Sequence, residues 1–136
     1  PNALLLAQAC FDAVNVIGWP ESRIILSEAA IYLATSQKSN SSYMAIDDAI
    51  GMVKNEGALP VPLHIRNAPT KLMKNLGYGK EYKYAHSYSG NFVPDNFLPD
   101  ELKGTVFYDP GVNSKEEEIR KKLSVMWKDI YNYDKK

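Results

Sequence analysis

Cysteine is almost missing from these 136 residues: Cys10 stands alone. One thiol cannot build an intramolecular disulfide framework, and the count fits a reducing compartment. Histidine is nearly as scarce, with His64 and His86 as the two present. No HxxxH, HExxH or CxxC spacing occurs, so a metal site is not expected. An excess of charge of one sign is also lacking. Sixteen Lys and Arg balance sixteen Asp and Glu, so the chain as a whole exerts no pull on nucleic acid or anionic membrane. No apolar run approaches the ~18 residues of a membrane span. No GxSxG nucleophile turn is present. Asp47-Asp48 and Glu116-Glu117-Glu118 fall on helix faces expected to be solvated, so paired catalytic carboxylates are not expected there. Gly77-Tyr78-Gly79-Lys80 fails as a Walker A loop. Position 74 is Lys where the first glycine belongs, and Glu81 follows the lysine. Catalytic residues in this chain: none expected.

What is present is helix. Residues 3–17 are apolar nearly all round, with Gln8, Asp12 and Asn15 forming one narrow polar stripe. A helix this apolar must be covered over most of its surface. Cys10, on its apolar side, reads as an inert buried thiol. Gly18 stops the helix, and Pro20 suits the first turn of the next, over residues 20–36. Ile24, Ile25, Ala29, Tyr32 and Leu33 can share its apolar face. TSQKSNSS breaks the pattern, and Asn40-Ser41-Ser42, which matches a glycosylation acceptor, reads as a helix start. A third helix runs over about 41–55 and Gly57 closes it.

Residues 57–111 change character. They hold six of the eight prolines and eight of the aromatic residues. Long irregular stretches tend to be functional or disordered, and this one is too rich in Leu, Ile, Val, Met and Tyr for disorder. An ordered wrap is expected. It should contain a short helix from Thr70 or Asn67 to about Leu76, a helical turn at 98–102, and loops, short turns or one small hairpin. His64, between Leu63 and Ile65, reads as a satisfied, partly buried side chain.

The last helix is expected over 115–132, with Ile119, Leu123, Met126, Trp127 and Ile130 as its apolar stripe and a frayed tail after Tyr133. Glu116, Glu117 and Glu118 stand four residues before Arg120, Lys121 and Lys122, the favoured order for i,i+4 pairs. The fold class is therefore mainly α. It divides into a helical bundle at 3–56, the wrap at 57–111 and a C-terminal helix at 115–132, all within one domain, 1–136. The chain begins Pro1-Asn2-Ala3 without methionine, which points to a piece of a longer protein.

The words ALPVPLHIRNAPTKLMKNLGYGKEYKYAH and FLPDELKGTVFYDPG, with AIYLATSQKSNSSYMAIDDA before them, resemble the C-terminal region of one family. It is the replication-associated recombination protein A family, also called MgsA, with the Werner helicase-interacting protein as eukaryotic relative. The resemblance runs over roughly residues 2–123. Members are clamp-loader-like AAA+ ATPases, so the resemblance implies a tetramerisation domain attached to a DNA-dependent ATPase at stalled replication forks. It further implies ATP and Mg in an upstream module, a cytoplasmic, nucleoid-associated protein, and contact with DNA and replication proteins through the full-length parent.

Two surfaces follow as candidates. Three helices with broad apolar faces carry more apolar surface than a small bundle easily hides. Either the 57–111 wrap covers it, or copies of the chain cover each other as a homo-oligomer. Leu5, Phe11, Trp19, Ile25 and Tyr32 are the candidate interface residues. The second surface is basic. Arg66, Lys71, Lys74, Lys80 and Lys83 face only Glu81 between residues 60 and 86, with Tyr78, Tyr82 and Tyr84 interleaved. Phosphates favour such clusters and unpaired bases stack on aromatic rings. The alternative function is therefore a DNA- or replication-protein-binding module at 66–83. The plain reading is a solvated face, neutralised in the fold by the seven acids between residues 95 and 118.

Overall fold

The computed structural model describes residues 2–128 and 130–134. Among the described residues there are five α-helices: α1 (Asn2–Ile17), α2 (Ser22–Thr35), α3 (Ser41–Glu56), α4 (Lys71–Asn75) and α5 (Ser114–Trp127). Four short 3-10 turns lie between α3 and α5, and there is no strand among the described residues. The chain is mainly α, as expected, and the small hairpin does not form. The chain divides into two compact units, Pro1–Lys38 and Ser39–Lys136.

The first unit is a helical hairpin. Gly18 takes φ 70 at the end of α1, and its N–H donates to the Val14 carbonyl at 2.9 Å. A residue with a side chain would be strained at this φ, which is why glycine ends the helix. Pro20 lies in the turn before α2 and not within the helix, as the sequence suggested; the Trp19–Pro20 bond is cis. The Ser22 N–H reaches back to the Gly18 carbonyl at 2.9 Å, closing that turn. On α1 the half-buried positions are Ala3, Leu6, Cys10, Ala13 and Val14, one stripe at helical spacing. Cys10 Sγ lies 4.0 Å from the Ile25 carbonyl, so this stripe is the side turned to α2. On α2, Ser22 and Ala29 are buried.

The second unit begins with α3, closed by Gly57 at φ 73. The stretch to α5 is ordered by local ties. The Thr70 hydroxyl accepts the Met73 N–H and caps α4. Gly77 donates to the Lys74 carbonyl at 3.0 Å, and Gly79 to the Leu63 carbonyl at 2.9 Å. The Arg66 guanidinium sits 5.0 Å from the Tyr78 ring centroid and donates to the Tyr78 hydroxyl at 3.3 Å and the Val61 carbonyl at 2.5 Å. Later in the chain Trp127 meets Phe92 and Tyr131 edge-on, each at 5.0 Å, with Phe97 at 6.3 Å. Such edge-to-face pairs add about 0.5–1.5 kcal/mol each beyond the area they bury. Val93, Pro110 and Tyr131 are the buried apolar residues of this unit.

Helix α5 stops at Trp127 and does not run to residue 132. Lys128 takes φ 38, outside helical geometry, and the Ile130 N–H returns to the Trp127 carbonyl at 2.9 Å. This reversal folds Tyr131 back onto Trp127. Position 129 and the last two residues, to which the expected helix and frayed tail extend, lie outside the described residues. Asp134 is placed and accepts the Ser124 hydroxyl.

Glu116 departs most from the sequence reading. It is buried and not solvated. Its carboxylate accepts Ser39 Oγ at 2.7 Å, the Gly111 N–H at 3.0 Å and Asn113 Nδ2 at 2.8 Å. Its own N–H donates to Asn113 Oδ1 at 3.0 Å, a reciprocal cap of α5. Burial opposes its charge, but donors from Ser39, Ser41, Gly111 and Asn113 together hold its pKa below the ordinary value. The i,i+4 partner Arg120 is drawn instead to Asp109 at 2.9 Å and to the Pro110 carbonyl. On the outer face of α5 Lys115 pairs with Glu118 at 3.4 Å.

Candidate assembly face and nucleic-acid contact surface

The candidate assembly residues all lie in the helical hairpin. Leu5 is 70% exposed, Phe11 64% and Trp19 73%. Tyr32 is at the margin of exposure and Ile25 is half-buried. The helix geometry explains the sorting. With small residues filling most of the stripe that faces α2, the large ones point outward. On that outer side Leu4 and Phe11 flank the polar stripe on one edge, and Leu5 and Val16 on the other. Within the stripe Gln8 Nε2 donates to Asp12 at 3.1 Å. Ile24 and Ile31 of α2 are likewise exposed.

The five basic residues do not act as one group. Arg66 is half-buried and its donors are used on Tyr78 and Val61. Lys83 pairs with Asp95 at 3.1 Å. Burial works against the Asp95 charge, but Lys83 and the Asn96 N–H outweigh it and hold the carboxyl below its ordinary pKa. Lys71, Lys74 and Lys80 are exposed. No ion pair joins these three to a described acid. Tyr82 and Tyr84 are exposed, whereas Tyr78 is half-buried under Arg66. Tyr88, which the sequence reading left out, is exposed nearby in sequence. Its signal was available, since Lys80, Tyr82, Tyr84, His86 and Tyr88 alternate along the chain.

The backbone of the Gly77–Lys80 turn is closed to a phosphate. The N–H groups of Gly77, Tyr78, Gly79 and Lys80 each donate within the fold. His64 is half-buried as expected, but its Nε2 is buried without a hydrogen-bond partner, so it is not fully satisfied. Among the described residues no group of three or more His, Cys, Asp and Glu could hold a metal ion. Among them too, no helix is long and apolar enough to cross a membrane. Glu116, missed as a buried residue, had one readable sign: Asn113-Ser-Lys-Glu116 has the spacing of a capping box.

Among the described residues the chain is five α-helices with a long irregular stretch between α3 and α5, and it carries two exposed surfaces, one apolar and one basic. Residues 1–127 match the profile of the MgsA AAA+ ATPase C-terminal family, and the chain belongs to that family. It is 42% identical over 124 residues to a replication-associated recombination protein A of Coxiella burnetii (strain RSA 493 / Nine Mile phase I), covering 90% of this chain and 28% of the relative. The protein of that name from Escherichia coli (strain K12) is 37% identical over 125 residues, 91% of this chain and 28% of the relative. The ATPase WRNIP1 of Dictyostelium discoideum is 37% identical over 123 residues, 85% of this chain and 14% of the relative. The chain thus spans little more than a quarter of the bacterial relatives and less of the last.

Proposed function

We propose that this chain is a non-catalytic self-association domain, a tetramer by the family resemblance, that gathers copies of a clamp-loader-like AAA+ ATPase. The parent would hydrolyse ATP with Mg in its upstream module. It would serve replication-fork maintenance and recombination in the cytoplasm, meeting DNA and replication proteins through its other parts. Linking several motors could raise apparent DNA affinity by ~10²–10⁴ without any new contact.

One observation carries this reading: α1 turns Ala3, Leu6, Cys10, Ala13 and Val14 toward its partner helix and leaves Leu4, Leu5, Phe11 and Val16 to solvent. A helix built for a solitary hairpin would not leave four large apolar side chains outside. Each such side chain contributes ~1.5–3 kcal/mol when buried. Association costs ~4–15 kcal/mol in lost freedom, so one exposed leucine would not suffice, whereas two flanking ridges can.

Light scattering coupled to gel filtration over a dilution series tests it. The expected result is a mass several times the 15.3 kDa of one chain. Leu5→Glu plus Phe11→Glu should return the chain to its single mass with helicity retained, because exposed positions tolerate polar substitution. A strict monomer at high micromolar concentration, or an oligomer indifferent to that pair, defeats the reading.

A further inference from the structure

We propose that the exposed part of residues 71–88 is a platform for unpaired nucleic acid. Lys71, Lys74 and Lys80 take the phosphates, and the rings of Tyr82, Tyr84 and Tyr88 stack on successive bases. The set differs from the basic cluster read in the sequence. Arg66 and Lys83 are already engaged, with Tyr78, Val61 and Asp95, and Tyr88 joins.

Several observations converge on this segment. Tyr82, Tyr84 and Tyr88 are 56%, 58% and 47% exposed. Aromatic rings this open contribute little to the fold, yet three stand within seven residues. Tyr84 also lies 5.1 Å from the His86 ring, centroid to centroid. Three lysines with no described acidic partner stand on α4 and on the turn that folds back onto it. That turn is tied to α4 through Tyr78 N–H to Met73 O at 3.1 Å and Gly77 N–H to Lys74 O at 3.0 Å. Tyr82 N–H returns to Gly79 O at 3.3 Å, which fixes the exit from the turn. Of the acids at this segment Asp95 is paired with Lys83, which leaves Glu81 alone against Lys71, Lys74 and Lys80.

The chemistry selects the ligand. A plain solvated face needs cations but has no use for open rings. Rings without cations would suit an apolar peptide. A net excess of cations in one segment with open rings suits a polyanion whose π-faces are free, and that is a single strand. In a duplex the bases are stacked on each other and the rings would find no partner. α4, five residues long, offers no recognition helix for a groove. With the turn held by its own hydrogen bonds, little ordering cost falls on binding.

The proposal is independent of self-association. Its test is run on the whole chain at a stoichiometry fixed beforehand by light scattering. Fluorescence anisotropy with a labelled oligo(dT) should show binding at 50 mM salt that weakens steeply by 200 mM. A duplex of equal length should bind at least about tenfold more weakly, since stacking is worth ~1–3 kcal/mol per base. Y82A plus Y84A should weaken the single strand about tenfold or more, and Y82F plus Y84F should restore it. K71Q, K74Q and K80Q together should lower the salt slope by about 2, because each phosphate contact on a single strand contributes ~0.7. No binding at 50 mM salt overturns the proposal. So does equal affinity for duplex, or affinity unmoved by the alanine pair. The phenylalanine pair keeps the test decisive if the alanine pair loses its fold, since loss of binding there also counts against stacking.

Discussion

Ser39 Oγ and the Glu116 carboxylate meet at 2.7 Å across 77 residues of chain. The contact fastens the entry of α3 to the entry of α5, and it ends in a buried charge. Gly111 is part of the same node, since its N–H donates to the carboxylate and a Cβ there would run into the carboxylate oxygen.

Glu116→Ala should cost about 2–4 kcal/mol of unfolding free energy, because the donors gathered on it lose a charged acceptor. Gly111→Ala should cost about 1–3 kcal/mol by pushing the carboxylate aside. In the Glu116→Ala background the Gly111→Ala change should cost close to nothing. Urea unfolding of the four proteins measures the cycle. Additive losses would mean that the two residues act separately.

Acid should find the same node. A carboxyl whose pKa falls on folding adds stability above its unfolded value, ordinarily 4.5 for Glu116. That stability is lost as pH drops through the lower folded value. Asp95 behaves likewise, from an ordinary 3.8. Stability should therefore hold flat from pH 7 to about 5 and fall steeply below. Glu116→Gln should be less stable at pH 7 and show a shallower fall. Denaturant midpoints from pH 3 to 7 measure both.

Ser22 is completely buried, and its Oγ has no hydrogen-bond partner. Its backbone closes the hairpin turn, but its hydroxyl forfeits water for nothing in return. Ser22→Ala should raise stability by about 1–2 kcal/mol. A thermal midpoint that falls on this substitution would show that the hydroxyl has a partner in solution.

Much of this architecture was legible. Helical spacing located α1, α2 and α3, Gly18 and Gly57 mark ends where the sequence placed them, and Thr70 is one of the two caps it offered for α4. The family was legible from the wording of residues 60–84. The end of α5 was not, because Met126, Trp127 and Ile130 keep helical spacing while aromatic packing of Tyr131 on Trp127 favours a reversal at Lys128. Glu116 was misjudged because three acids before three bases read as a solvated ladder; partners distant in sequence drew it inward instead. The basic surface was half legible. Composition locates the cations, but not that Arg66 is engaged beneath a tyrosine or that Lys83 answers Asp95.

Between Thr105 and Tyr108 the main chain enters few bonds of its own: the amides of Val106, Phe107 and Tyr108 donate to no backbone carbonyl among the described residues. Anchoring comes from the adjoining residues, where Arg120 pairs with Asp109 and donates to the Pro110 carbonyl. Deuterium should therefore enter the amides of Val106, Phe107 and Tyr108 sooner than those inside α3 or α5, although the residues that carry them are half-buried.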